Sequence, residues 1–148
     1  MSVQQNIELL KRWFREVWNE NKIQTVYELF AANGVSRGHL PEADIYGPDE
    51  FVLFVKRIRS AFSDINAVVE DAFGADDKVV VRWSATMKHS GDGMGVPASG
   101  KTVRISGITI ARFVQEKCVE AWDSWDQLSM HRQIGAYGDP ASQTAKSA

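Results

Sequence analysis

The chain has 148 residues, with 44% hydrophobic and 24% charged residues and a net charge of −2. That is the size and balance of one globular domain with one core. The charge leaves no overall field to recruit nucleic acid or an anionic membrane, and no apolar run approaches a membrane span. The N-terminus lacks the basic segment and apolar stretch of a signal peptide. With a single cysteine, Cys118, no intrachain disulfide can form, so a cytoplasmic location is expected.

Ser2-Val3-Gln4-Gln5 fits a capping box, and Ile7, Leu10, Phe14, Val17 and Trp18 follow as one helical stripe. A shorter second helix is expected with Ile23, Val26, Tyr27 and Phe30 inward, ended by Asn33-Gly34. The segment "VSRGHLPEADIYG" is irregular, with a short strand at 35–38. Pro48-Asp49-Glu50 begins a third helix whose stripe is Phe51, Val55, Ile58 and Phe62. Its Lys56, Arg57 and Arg59 form a solvated face.

After Ser63 the period changes to that of strands. Strands are predicted over 65–73, 79–88, 102–114 and 118–126, joined by "GADDK", a long Gly-rich connection and the tight turn "QEK". A short helix follows over 128–134. The reading is one domain over 1–137 and a small, polar, disordered tail over 138–148. Helices first and an antiparallel meander after them make an α+β domain.

Individual residues point to little metal or nucleophile chemistry. His39, His89 and His131 share no ligand spacing, and no phosphate-binding glycine motif is present. The histidines read as surface or satisfied residues, with His89 in a solvated loop. Cys118 reads as a small strand residue. "EAWDSWD", Glu120–Asp126, is the unusual stretch, because it sets carboxylates beside tryptophans. Alternation puts Ala121, Asp123 and Trp125 on one face of the strand. On the neighbouring strand Gly107, Thr109, Ala111 and Phe113 share a face. Small residues there leave room for a ligand, and aromatics dry the site. The plain alternative for Asp123 is a structural carboxylate paired with Arg112 or Arg104. Asp126 reads as the cap of the following helix. Trp122 and Trp83 read first as packing residues.

The order of elements resembles the NTF2-like cone, and within it the SnoaL-like polyketide cyclases. The segments that carry the resemblance are "FREVWNENKIQTVYELFAANGV", "YGPDEFVLFVKRIRSAFSDI", "GMGVPASGKTVRISGITIARF" and "EKCVEAWDSWDQLSMHRQIG". The resemblance implies three N-terminal helices packed on a strongly curved, mostly antiparallel sheet that encloses a pocket. It implies an aldol cyclase, lyase or isomerase type of enzyme that needs no metal or cofactor and acts on a small apolar carbonyl compound. It places the catalytic acid/base on Asp123 and substrate contacts on Trp18, Phe54, Thr109, Trp125 and Trp83, and it implies a homodimer through the outer face of the sheet. The family's glutamine and histidine on the neighbouring strand fall on Gly107 and Thr109, so the partner of Asp123 must differ here. Limonene epoxide hydrolases resemble the chain more distantly. Their arginine and second aspartate would fall on Arg82 and Ser84, so one carboxylate is missing. A non-catalytic binding module is the third reading.

Such a carboxyl group needs a suitable environment. A free aspartate near pKa ~4 is a weak base, and burial in apolar surroundings makes it a stronger one by disfavouring the charge.

Overall fold

The computed structural model describes residues 2–136. The tail expected over 138–148 lies outside these residues.

The first helix, α1 (Val3–Trp13), begins on the predicted capping box: Ser2 Oγ accepts from Gln5 N–H at 3.1 Å, and Ser2 N–H donates to Gln5 Oε1 at 2.9 Å. It buries Ile7 and Leu10 and runs into a π-helical stretch, Phe14–Asn19, which buries Phe14 and Val17. There Glu20 N–H reaches back five residues to Arg15 O at 3.0 Å. Glu16 is buried in this wider turn, and Arg12, Thr25 and Lys22 all meet its carboxylate.

The next helix, α2 (Gln24–Leu29), is shorter than the sequence suggests. Strand β1 (Phe30–Arg37) starts immediately after it, so Asn33-Gly34 lies inside a strand and does not end a helix. Phe30 is buried, but on β1, and Tyr27 is 42% exposed with its hydroxyl donating to Asp49. The pairing of β1 with the last strand shifts register between Phe30 and Val35. Such an irregularity accommodates the Asn-Gly pair within the strand.

Strand β2 (Ile45–Tyr46) leads into α3 (Gly47–Arg59), with Pro48 in its first turn, Asp49 and Glu50 at its positive end, and basic residues in its last turn. Phe51, Val55 and Ile58 are buried as the spacing predicts. Arg59 is not simply solvated: its guanidinium donates to Trp18 O at 2.5 Å.

Three long strands follow as a meander, β3 (Phe62–Ala75), β4 (Lys78–His89) and β5 (Thr102–Val114), then β6 (Lys117–Trp125) and α4 (Gln127–Gln133). β3 extends beyond its predicted limits at both ends. The β5–β6 turn places Gln115 and Glu116 at φ +49° and +67°, the two positive values that a tight hairpin of matching twist requires. Asp126 caps α4 by accepting from Ser129 N–H at 3.0 Å.

The strands form one sheet in the order β2-β1-β6-β5-β4-β3. All neighbours are antiparallel except β1 and β6, which run parallel. The architecture is the expected α+β cone: the sheet curves around α1, its π-helical extension and α3, and the core lies between them. Burial alternates along β4 and β5, with Val81, Trp83, Ala85 and Met87 inward and Arg82 exposed. His89 ends β4 fully buried against Phe62, its Nδ1 2.9 Å from Ser99 Oγ. The Gly-rich connection folds back over it, which overturns its reading as a solvated loop residue.

Candidate active site

Register builds the site. The β5–β6 ladder sets Thr109 opposite Asp123 and Gly107 opposite Trp125, and the β4–β5 ladder sets Trp83 opposite Gly107. Trp83, Thr109, Asp123 and Trp125 face a cavity of about 100 Å³ between the sheet and the helices, whereas the space beside Gly107 is taken by Trp83 and Trp125. One water needs roughly 10–15 Å³ by this measure, so the space suits a small organic molecule. Asp123, Trp18, Phe54, Thr109, Trp125 and Trp83 all contribute to its wall. The wall is mainly aromatic and aliphatic, and its polar oxygen- and imidazole-bearing side chains are Ser36, His39, Thr109 and Asp123.

Asp123 is held at both oxygens. The Thr109 hydroxyl donates to Oδ1 at 2.5 Å, and Trp83 Nε1–H donates to that hydroxyl at 3.1 Å. His39 Nε2 lies 2.8 Å from Oδ2, with the two side chains 12% and 5% exposed. The imidazole packs on the rings of Phe51 and Phe54, at centroid distances of 5.3 and 4.9 Å. A carboxylate with one polar partner at each oxygen keeps lone pairs for a substrate proton.

The sequence reading did not single out His39 for this position. It lies in the irregular segment after β1, where alternation gives no face. Parallel pairing with β6, Ser36 opposite Ala121 and Arg37 opposite Trp122, carries the next residues over Asp123. Gly38 has φ +88°, and a Cβ there would sit 1.9 Å from the Asp123 carbonyl oxygen, so this close approach excludes any side chain. Arg37 secures the segment by pairing with Asp44 at 2.7 Å and Glu120 at 3.1 Å, and Gly38 O accepts from Gln127 at 3.2 Å.

Neither arginine considered as a structural partner of Asp123 meets it, and Arg104 is exposed on the opposite face of β5 from Thr109. Arg112 lies 3.8 Å from Glu120 and 3.9 Å from Asp77, and Arg104 pairs through its backbone with Gln133. Arg82 is exposed on the outer face and Ser84 donates to Glu70, so no arginine of the epoxide-hydrolase type faces the cavity from that strand. Cys118 reaches the cavity wall, but burial pushes its thiol up to about 12, which keeps it protonated and unreactive. Among the described residues, no group of three or more His, Cys, Asp or Glu is placed to hold a metal ion. No helix among them is long and apolar enough to cross a membrane.

Comparison with known proteins agrees with this fold. The SnoaL-like polyketide cyclase family matches residues 8–134. Aklanonic acid methyl ester cyclase DnrD of Streptomyces peucetius is 30% identical over 134 residues, covering 87% of this chain and 90% of the relative. The cyclase DauD of Streptomyces sp. strain C5, described by the same activity, is 29% identical over 87% of this chain and 81% of the relative. The crystal structure of a candidate SnoaL-like polyketide cyclase from Jannaschia sp. CCS1 superposes with a TM-score of 0.81 at 25% identity, covering 91% of this chain and 94% of that one. The chain therefore belongs to the SnoaL-like polyketide cyclase family.

Proposed function

We propose that the protein is a cofactor-independent cyclase-type enzyme in which Asp123 is the general acid/base for a small, largely apolar, carbonyl-bearing substrate of polyketide type. The observation that carries this reading is a nearly buried carboxylate in an aromatic cavity, held at one oxygen by Thr109 and at the other by His39. A carboxylate kept from water and fixed in direction can take a proton from the carbon beside a carbonyl. It can then return that proton to the oxygen that becomes an alcohol when the ring closes. Thr109 and His39 orient it, and Trp83 orients Thr109. Trp18 and Phe54 supply apolar wall on the helical side, which suits a flat ring system.

Aklanonic acid methyl ester, named for the 30% identical relative, is the first substrate to test. Asp123→Asn should keep the fold and ligand affinity and lower turnover by roughly 10²–10⁴-fold. Turnover at the parental rate in that variant would overturn the assignment. A homodimer through the outer face of the sheet, where Val68, Phe73 and Ile108 are exposed, belongs to the same proposal, and light scattering tests it. A cytoplasmic location is likewise proposed, and cell fractionation tests it.

A further inference from the structure

Trp125 lies two residues beyond Asp123 on β6, so both side chains project from the same face of the strand, with Cα atoms ~7 Å apart. It borders two adjoining spaces. One is the cavity that holds Asp123; the other is an outer space of about 190 Å³, lined also by Glu42, Arg57, Met94 and Met130. His39, Phe54, Ile58 and Trp125 border both, and so form the wall that the two spaces share.

The indole Nε1 of Trp125 is shut off from solvent and has no hydrogen-bond partner among the described residues. Its neighbour across the sheet differs: Trp83 Nε1 is satisfied by Thr109. Gly107 lies between the two. A Cβ there would fall 2.5 Å from Trp83 Cζ2 and 2.8 Å from Trp125 Cβ, so glycine is what lets both tryptophans pack in this row. One indole N–H of the row supports the catalytic carboxylate and the other is left without an acceptor. Buried donors are nearly always paired, and an unpaired one on a side chain that lines a cavity leaves a place for an acceptor brought by a bound molecule, once the indole shifts enough to meet it.

We propose that Trp125 Nε1–H donates to an acceptor oxygen (carbonyl, enolate or phenolate) of the molecule bound beside Asp123. This rests on the cavity being the substrate site and adds the group that receives the substrate's oxygen. An indole N–H donates and does not accept or release protons at ordinary pH, so its role is to hold and polarise while Asp123 handles the proton. As a proton leaves carbon, the adjacent carbonyl oxygen gains charge, and a donor already in place favours that state.

The test uses two probes of nearly equal shape, 1-tetralone and its carbonyl-free counterpart tetralin. With ¹⁵N-labelled protein, the Trp125 indole resonance, assigned by its loss in Trp125→Phe, should move downfield with the ketone and not with the hydrocarbon. The preference for tetralone over tetralin should fall roughly fivefold in Trp125→Phe. An unmoved resonance together with an unchanged preference would overturn this inference while leaving the cavity reading intact. Failure of the wild-type protein to bind either probe would overturn both. The shift itself is read on the wild-type protein, and a Trp125→Phe spectrum that otherwise matches the wild type shows that the variant used for assignment and preference is folded.

Discussion

Replacing His39 with leucine isolates one bond. Leucine keeps apolar contact with Phe51 and Phe54 but removes the nitrogen that lies 2.8 Å from Asp123 Oδ2. A hydrogen bond to a charged group contributes about 1.5–3 kcal/mol, and removing one partner of a buried pair costs more than the bond itself. Thr109 still holds the other oxygen, which puts the expected loss at about 2–3 kcal/mol. For a domain of this size that is a fall in Tm of about 4–12 °C. The decisive measurement is a double-mutant cycle with Asp123→Ala, read by urea unfolding of the four proteins. Contact across a shielded 2.8 Å pair predicts a coupling of about 2 kcal/mol, whereas independent sites add to within about 0.3–0.5 kcal/mol. A coupling inside that additive range would refute the pairing and with it the account of how Asp123 is oriented.

Two other perturbations probe the surroundings. Gly38→Ala places a methyl group against the Asp123 carbonyl at a backbone φ of +88°; it should destabilise by at least about 1–2 kcal/mol and lower turnover by lifting His39 away, as thermal melts and rates would report. Glu16, buried in the π-helical turn, is held down to about 2 chiefly by Arg12 at 2.6 Å, with Thr25 and Lys22 assisting against the cost of burial. Its folded value is depressed, so its contribution is complete above about pH 4.5 and is lost as pH falls towards 2. The stability difference between the parent and Glu16→Gln should therefore be at most about 3 kcal/mol near neutrality and shrink by more than half by pH 3, measured by urea titration. A difference that stays constant with pH would refute the role given to Arg12.

The helices and meander were readable because a hydrophobic period is a local property. The stripe of α1 and the alternation of β4 and β5 are each decided within a dozen residues. Alternation likewise grouped Asp123 with Trp125 on one face of β6, and Gly107 with Thr109 on one face of β5. Strand β1 was readable only at its end, where a short strand was expected over 35–38. It starts where a helix was expected to continue, its Asn-Gly pair imitates a helix stop, and its parallel partner β6 lies more than eighty residues away in the chain. His39 was missed for the same reason, since its place depends on that long-range pairing. The cross-strand row of Trp83, Gly107 and Trp125 also needs register, which parity alone does not supply.

This difference between local and long-range information matters for how the site works. The position of Asp123 is set by backbone ladders on both sides, β5 through Thr109 and β1 through the residues leading to Gly38. Its partners are set by side chains, and these exchange more easily. A threonine that itself needs a tryptophan donor holds one oxygen, and a loop histidine wedged between phenylalanines holds the other. A sheet that fixes the carboxylate while leaving its partners to neighbouring strands and loops can retain one proton-transfer group and change the molecule it acts on. On the proposed reading, substrate preference is to be sought in the wall residues His39, Phe54 and Trp125, and in the helical wall at Trp18, more than in Asp123 itself.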